Sequence, residues 1–168
     1  HFGENKVQEA LLKWSKIKNQ NKNIKLHLVG KLQSNKVKLA LELFDYIHSL
    51  DNIKLARKIS ELQKKINKRP KLFIQINIGN EDQKNGIPKD EAFNFLNLCN
   101  DLNLDIIGTM CIPPNNQNTD FYFSEMKKIN EDLNFKELSM GMSEDYLKAI
   151  NFSSTFLRIG SQIFGSRS

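Results

Sequence analysis

Short β-rich runs alternate with longer segments of helical apolar spacing along most of this chain, and few folds accommodate that rhythm. Six runs have strand character: IKLHLV (24–29), FDYIHS (44–49), KLFIQINI (71–78), LDIIGTM (104–110), FKELSM (135–140) and TFLRIG (155–160). Between them lie helical stripes: Val37, Ala40, Leu41 and Phe44; Leu55, Ile59, Leu62 and Ile66; Ala92, Phe95, Cys99 and Leu102; Tyr122, Met126, Ile129 and Leu133. Leu147 and Ile150 form a shorter one. Each stripe is predicted to pack against a sheet rather than to form a cofactor box. Strands separated by helices become parallel neighbours through right-handed crossovers. Such a series closes into a (β/α)8 barrel or winds into an open doubly wound sheet. No GxGxxG follows the first run, which weakens the dinucleotide-binding version.

Helix-start signals fall where the alternation needs them. Asn35 is a candidate N-cap, Pro88 opens a helix within its first turn, and Ser143 precedes Glu144 and Asp145 as a cap with acids at the positive dipole end. No linker, repeat or low-complexity tract divides the 168 residues, so residues 1–168 are expected to form a single domain.

Composition narrows the setting. With 39% hydrophobic and 26% charged residues the chain is too apolar for disorder, and no stretch approaches the ~20 apolar residues of a membrane span. The opening HFGENKVQEALLKW lacks a secretory pattern and begins with His1 instead of methionine, so the natural N-terminus is expected to lie outside the sequence. Cys99 and Cys111 sit in unlike patterns without metal-ligand spacing, which predicts reduced thiols, no metal site and a cytoplasmic location. The net charge of +6 comes from lysines scattered among asparagines and isoleucines, which predicts a solvated basic surface and neither nucleic-acid nor membrane binding.

Five blocks carry a specific likeness. HFGEN with KVQEA (residues 1–10), VGKLQSNKVK (29–38), IHSLD (47–51), LSMGMSEDYLKAI (138–150) and RIGSQIFGSR (158–167), in this order, resemble the pyridoxal phosphate homeostasis family. QINIGNEDQKNGI (75–87) is similar to that family's strand and lysine-containing turn. The resemblance covers nearly the whole chain. It implies an α/β fold, a (β/α)8 TIM barrel of the alanine racemase N-terminal type, without the second domain of racemases and decarboxylases. It also places the lysine that forms the Schiff base on a strand upstream of HFGEN. A barrel of about 250 residues is typical, so the first strand, its helix and most of the second strand are expected to be absent here. Lys31 and Asn85 stand where the resemblance leads one to expect a histidine and a serine.

In such barrels phosphates often sit in the loops after the last two strands, against backbone N–H groups. Those loops hold Gly141 to Ser143 and Gly160 with Ser161, where glycine permits close approach and hydroxyls donate to phosphate oxygens. Arg158 has a bland reading as half of a structural ion pair; the resemblance turns it toward a contact with the cofactor's ring nitrogen or phosphate. Asn5, otherwise a helix cap, is implied to reach the ring hydroxyl from the second strand's end. Ser143, Arg158, Gly160, Ser161 and Asn5 are therefore the candidate cofactor-binding residues, and no residue is assigned catalysis. His48 reads as a satisfied structural histidine, Lys84 as a surface lysine with a conceivable secondary contact to the aldehyde, and Met140 and Met142 as core. The implied function is binding of pyridoxal 5′-phosphate for cofactor homeostasis or carriage, with apo pyridoxal-phosphate enzymes as partners and no dedicated reaction. The rivals are a pyridoxal-phosphate-dependent racemase or decarboxylase, and a phosphate-binding barrel enzyme without pyridoxal.

Overall fold

The computed structural model describes residues 1–81, 84–114 and 118–165. Seven strands form one all-parallel sheet in sequence order: β1 (Phe2–Glu4), β2 (Leu26–Leu28), β3 (Tyr46–Leu50), β4 (Lys71–Gln75), β5 (Ile106–Met110), β6 (Glu137–Met142) and β7 (Phe156–Arg158). Helices α1 (Val7–Gln20), α2 (Val37–Leu43), α3 (Ile53–Ile66), α4 (Ala92–Asp101), α5 (Thr119–Asp132) and α6 (Tyr146–Asn151) cross between them, and α7 (Ser161–Phe164) follows β7. The six runs expected from periodicity are β2 to β7. β1 adds a strand to them, with Phe2, Gly3 and Glu4 in register with Leu26, His27 and Leu28.

Alternation along each strand separates two packed faces. Leu26, Leu28, Ile47, Leu72, Ile74 and Leu138 join Trp14, Leu41, Leu55, Ile59, Phe95 and Phe123 in a continuous core between sheet and helices. The intervening residues turn inward. Phe156 of β7 lies 5.2 Å from the Phe73 ring of β4, 5.8 Å from those of Tyr46 and His48 in β3, and 5.7 Å from His27 in β2. One ring meets side chains from strands three to five places away only if the sheet curls on itself. The architecture is thus a nearly closed seven-stranded parallel barrel with helices outside, and the open-sheet alternative is set aside. Burial on both faces explains why the strands read as nearly continuous apolar runs.

Local structure departs from the expected helix signals in four places, one of them Pro88, which precedes a 3-10 turn (Lys89–Glu91) so that α4 begins only at Ala92. Asn35 lies inside a 3-10 turn (Ser34–Lys36), so α2 begins later, at Val37, and no side chain caps it. Asn52 instead caps α3, its side-chain oxygen accepting from the Leu55 N–H at 2.8 Å. Ser143 does not cap α6: Asp145 takes that position, and its carboxylate accepts from the Met142 N–H at 2.6 Å. The Leu147 and Ile150 stripe is also overturned. These side chains are 65% and 48% exposed, because the six-residue α6 buries Ala149 instead. Helix α1, which carries none of the stripes above, is held by Trp14: its indole N–H donates to Glu4 at 2.6 Å and its ring packs 4.8 Å from Phe2.

Strands β5 and β6 approach so closely at Gly108 that a Cβ there would overlap the backbone carbonyl of Glu137. At Gly160 a Cβ would meet nothing within 4 Å. Gly108→Ala is expected to cost about 1–3 kcal/mol or more of stability in urea unfolding. Gly160→Ala should stay within about 0.5 kcal/mol of the parent. Equal stability of the two variants would show that the β5–β6 contact has slack that the geometry denies.

Candidate functional site

The strands of a parallel barrel direct their C-terminal ends and following loops to one face, where sites in such folds are built. Here the loops after β6 and β7 are tied together. Ser143 Oγ accepts from the Gly160 N–H at 3.2 Å, and the Ser143 carbonyl accepts from the Gln162 side chain at 2.7 Å. Ser161, exposed, opens α7 directly beside them. The Gly160 backbone faces open space, as a surface meant for close approach requires. Ser143, Gly160 and Ser161 are thereby brought together.

Arg158, the last residue of β7, is half-buried. Its Nη1 donates to Ser139 Oγ at 2.8 Å and its Nη2 to the Cys111 carbonyl at 2.7 Å. Among the described residues no carboxylate lies within ion-pair distance of it, so the ion-pair reading is replaced by two neutral acceptors. Burial lowers the guanidinium's pKa. Asn5 is exposed at the end of β1, its carbonyl against Gly30, and its side chain makes no hydrogen bond among the described residues. It stands on the edge strand opposite β7. Ser166 and Arg167 of the last block, and Asp82 and Gln83 of the β4 loop, lie outside the described residues.

Below this face a hydrogen-bonded chain crosses the interior. Ser139 Oγ lies 2.9 Å from His48 Nδ1, His48 Nε2 lies 2.9 Å from His27 Nδ1, and His27 Nε2 lies 2.8 Å from His1 Nδ1. His48 stacks on Phe73 at 4.2 Å and His27 on Tyr46 at 4.2 Å, which fixes both ring planes. His48 is the satisfied buried residue expected, although local spacing does not disclose its partners. The available signal was phase: His27 is flanked by outward Leu26 and Leu28, and His48 follows outward Ile47, so both histidines point inward. Burial pushes the His27 pKa from 6.5 down to about 4 and that of His48 well below 6.5, the latter helped by His27 and Arg158.

Other groups at the mouth are committed to local structure. Lys84 pairs with Glu81 at 2.6 Å and donates to the Pro113 carbonyl at 3.3 Å. Lys31 donates to the Asn85 side chain at 2.6 Å, so the two departures from the family pattern touch each other. Burial raises the Asp51 pKa, and it pushes the Cys111 thiol up to about 12. Both cysteines are free and buried. Met140 is fully buried, whereas Met142 is 40% exposed and lies outside the core, which corrects the core reading for it. Among the described residues no group of three or more His, Cys, Asp or Glu side chains could hold a metal, and no helix is long and apolar enough to cross a membrane. Two open cavities of about 360 and 390 Å³ lie at the opposite end of the barrel, around Lys18 and Asp45, away from the C-terminal strand ends.

Comparison with known proteins gives consistent findings. A family model described as alanine racemase, N-terminal domain, matches residues 1–168. The pyridoxal phosphate homeostasis protein of Haemophilus influenzae is 37% identical over 178 residues, spanning 99% of this chain and 75% of that protein. The protein of the same name from Pongo abelii is 40% identical over 187 residues, spanning 99% of this chain and 68% of its own length. The structure of PipY from Synechococcus elongatus with PLP bound superposes with a TM-score of 0.89 at 34% identity, covering 98% of this chain and 81% of that one. Alanine racemase of Clostridium difficile, at 13% identity and a TM-score of 0.75, shares the fold and covers 98% of this chain and 44% of its own.

The buried histidines set a pH dependence of stability. Both native pKa values are depressed, so the unfolded chain binds protons that the native barrel refuses. Stability is full above 6.5 and declines as the pH falls from 6.5 toward about 4. Each proton contributes a slope of at most about 1.4 kcal/mol per pH unit. Urea midpoints measured across this range check it, and His27→Gln should flatten the decline. An unchanged slope in that variant would assign the effect to other groups.

Proposed function

The chain belongs to the pyridoxal phosphate homeostasis protein family, and on that premise we propose that it binds pyridoxal 5′-phosphate in the cytosol, as a carrier for apo pyridoxal-phosphate enzymes, without a dedicated reaction of its own. The observation that carries this reading is the Arg158 guanidinium, bonded to two neutral oxygens and two residues before the open Gly160 of the Ser143–Gly160 cradle. A half-buried cation without a carboxylate suits an electron-rich ligand atom, and a backbone surface that leaves room for a Cβ has room for a phosphate.

On this reading Ser143, Gly160 and Ser161 hold the phosphate, Arg158 faces the ring, and Asn5 meets the ring hydroxyl from the opposite strand. Bound pyridoxal phosphate supplies an aldehyde that condenses with amines and a ring that withdraws electrons from them. A racemase or decarboxylase must also move protons at the substrate carbon, with a base whose pKa lies near the working pH. Two nearby candidates are unsuited: the Cys111 thiol is pushed up to about 12, and both His48 nitrogens are occupied in the interior chain. That favours carriage over turnover. The coarse part of the reading, a pyridoxal-phosphate-binding homeostasis protein, rests on family membership. The residue roles are supported by the geometry of the two loops and Arg158, and the carrier role by the family resemblance and the lack of a suited base at Cys111 or His48.

Charge-assisted contacts contribute about 1.5–3 kcal/mol each, so Arg158→Ala should weaken binding about tenfold or more in equilibrium dialysis. Pyridoxine 5′-phosphate, which lacks the aldehyde, makes the same measurement independent of any lysine. Gly160→Val should weaken both ligands by filling the open space, while Gly160→Ala folds normally. Unchanged affinity in Arg158→Ala and Gly160→Val would remove the site. In the same preparation alanine racemisation should match free pyridoxal phosphate, and an apo-enzyme should gain activity faster from the loaded protein than from buffer alone. Saturable racemisation would favour the enzymatic rival.

A further inference from the structure

Arginine has only donors, and together with the need of the buried Ser139 hydroxyl proton for an acceptor this sets the direction of the hydrogen bonds in the interior chain. Ser139 Oγ accepts from Arg158 Nη1, which leaves the serine's own proton for His48 Nδ1, its other partner at 2.9 Å. His48 Nδ1 is then an acceptor, so the ring's proton sits on Nε2 and is donated to His27 Nδ1 at 2.9 Å. The same step repeats from His27 Nε2 to His1 Nδ1 at 2.8 Å. Each imidazole between the ends is neutral, carries its proton on Nε2 and uses both nitrogens. The reverse direction would aim two donors at Ser139 and leave its hydroxyl proton without an acceptor in a fully buried site.

We propose that His48, acting through Ser139, is a positioning residue for Arg158: it supplies the acceptor that orients the serine hydroxyl, so that the serine lone pair faces the guanidinium and holds it at the inner end of the ligand site. This deepens the functional reading above and rests on it, since it concerns a residue that reading assigns to the ligand. The arrangement is rigid. His48 is clamped against Phe73 in β4, Ser139 is fully buried in β6, and the second guanidinium nitrogen is held by Cys111 at the end of β5. Four strands therefore define where one cation sits.

The first test is spectroscopic. In ¹⁵N-labelled protein at neutral pH, His48 and His27 should both show the neutral tautomer protonated on Nε2. Protonation of His48 on Nδ1 overturns the proposal whatever the binding data show. The second test pairs two variants. His48→Phe keeps a flat ring against Phe73 but removes the acceptor; His48→Asn places its amide oxygen near the Nδ1 position. Loss of one hydrogen bond corresponds to about fivefold in affinity, expected for pyridoxine 5′-phosphate with His48→Phe and largely restored with His48→Asn. In an Arg158→Ala background His48→Phe should have no further effect. An equal loss in both backgrounds would mark His48 as merely structural and overturn the positioning role. If Arg158→Ala alone leaves affinity unchanged, the functional reading fails and the positioning role falls with it, while the tautomers separately report the polarity of the chain. Should His48→Phe not fold, Ser139→Ala removes the same link with a smaller change and carries the same expectations.

Discussion

Phe156 is the contact on which the rest of the barrel depends. Placed on the last strand, it touches rings from the second, third and fourth, so the sheet's curvature is recorded in one side chain. Curvature in turn separates the two faces of every strand. The outward face meets six helices through aliphatic side chains. The inward face encloses histidine, serine and arginine at close range, where each must find a partner. Without the curl, His27, His48 and Ser139 would be exposed polar groups on a flat sheet, and the His48–Ser139 bond, which joins β3 to β6, would be lost.

Most of the architecture was legible in the sequence because parallel strands buried on both faces produce apolar runs that stand out from helical stripes. The six runs from 24–29 to 155–160 are strands β2 to β7. What escaped did so for local reasons. Phe2–Glu4 is too short to show a period, so only the family resemblance placed a strand end there, and its pairing with Leu26–Leu28 makes it β1. Ser143 carries the usual marks of an N-cap, yet α6 begins only at Tyr146, with Asp145 at the cap position, and the serine instead meets Gly160. Leu147 and Ile150 have helical spacing, but a six-residue helix buries only the residue facing the sheet.

The candidate site was legible in a different sense. Motif likeness pointed to the loops after the last two strands, and the fold does join them through Ser143 and Gly160. Motifs did not reveal the layer beneath. Ser139 lies inside the block LSMGMSEDYLKAI without a distinguishing pattern, and His27 sits in a run of leucines and valine. Their significance arises only when strands far apart in sequence are folded around a common interior. A hydrogen bond spanning 91 residues, such as that between His48 and Ser139, leaves no trace in local spacing.

The Lys31 to Asn85 hydrogen bond ties the loop after β2 to the loop after β4 across 54 residues. Both residues stand where the family resemblance leads one to expect something else, a histidine and a serine. Positions that are joined in space share an environment: a change at one alters what surrounds the other. Grafting the expected histidine alone, or the serine alone, into this chain would therefore exchange this exposed link for contacts with water. For anyone building chimaeras between this protein and its relatives, the unit of exchange at the barrel mouth is the pair of loops and not the single loop.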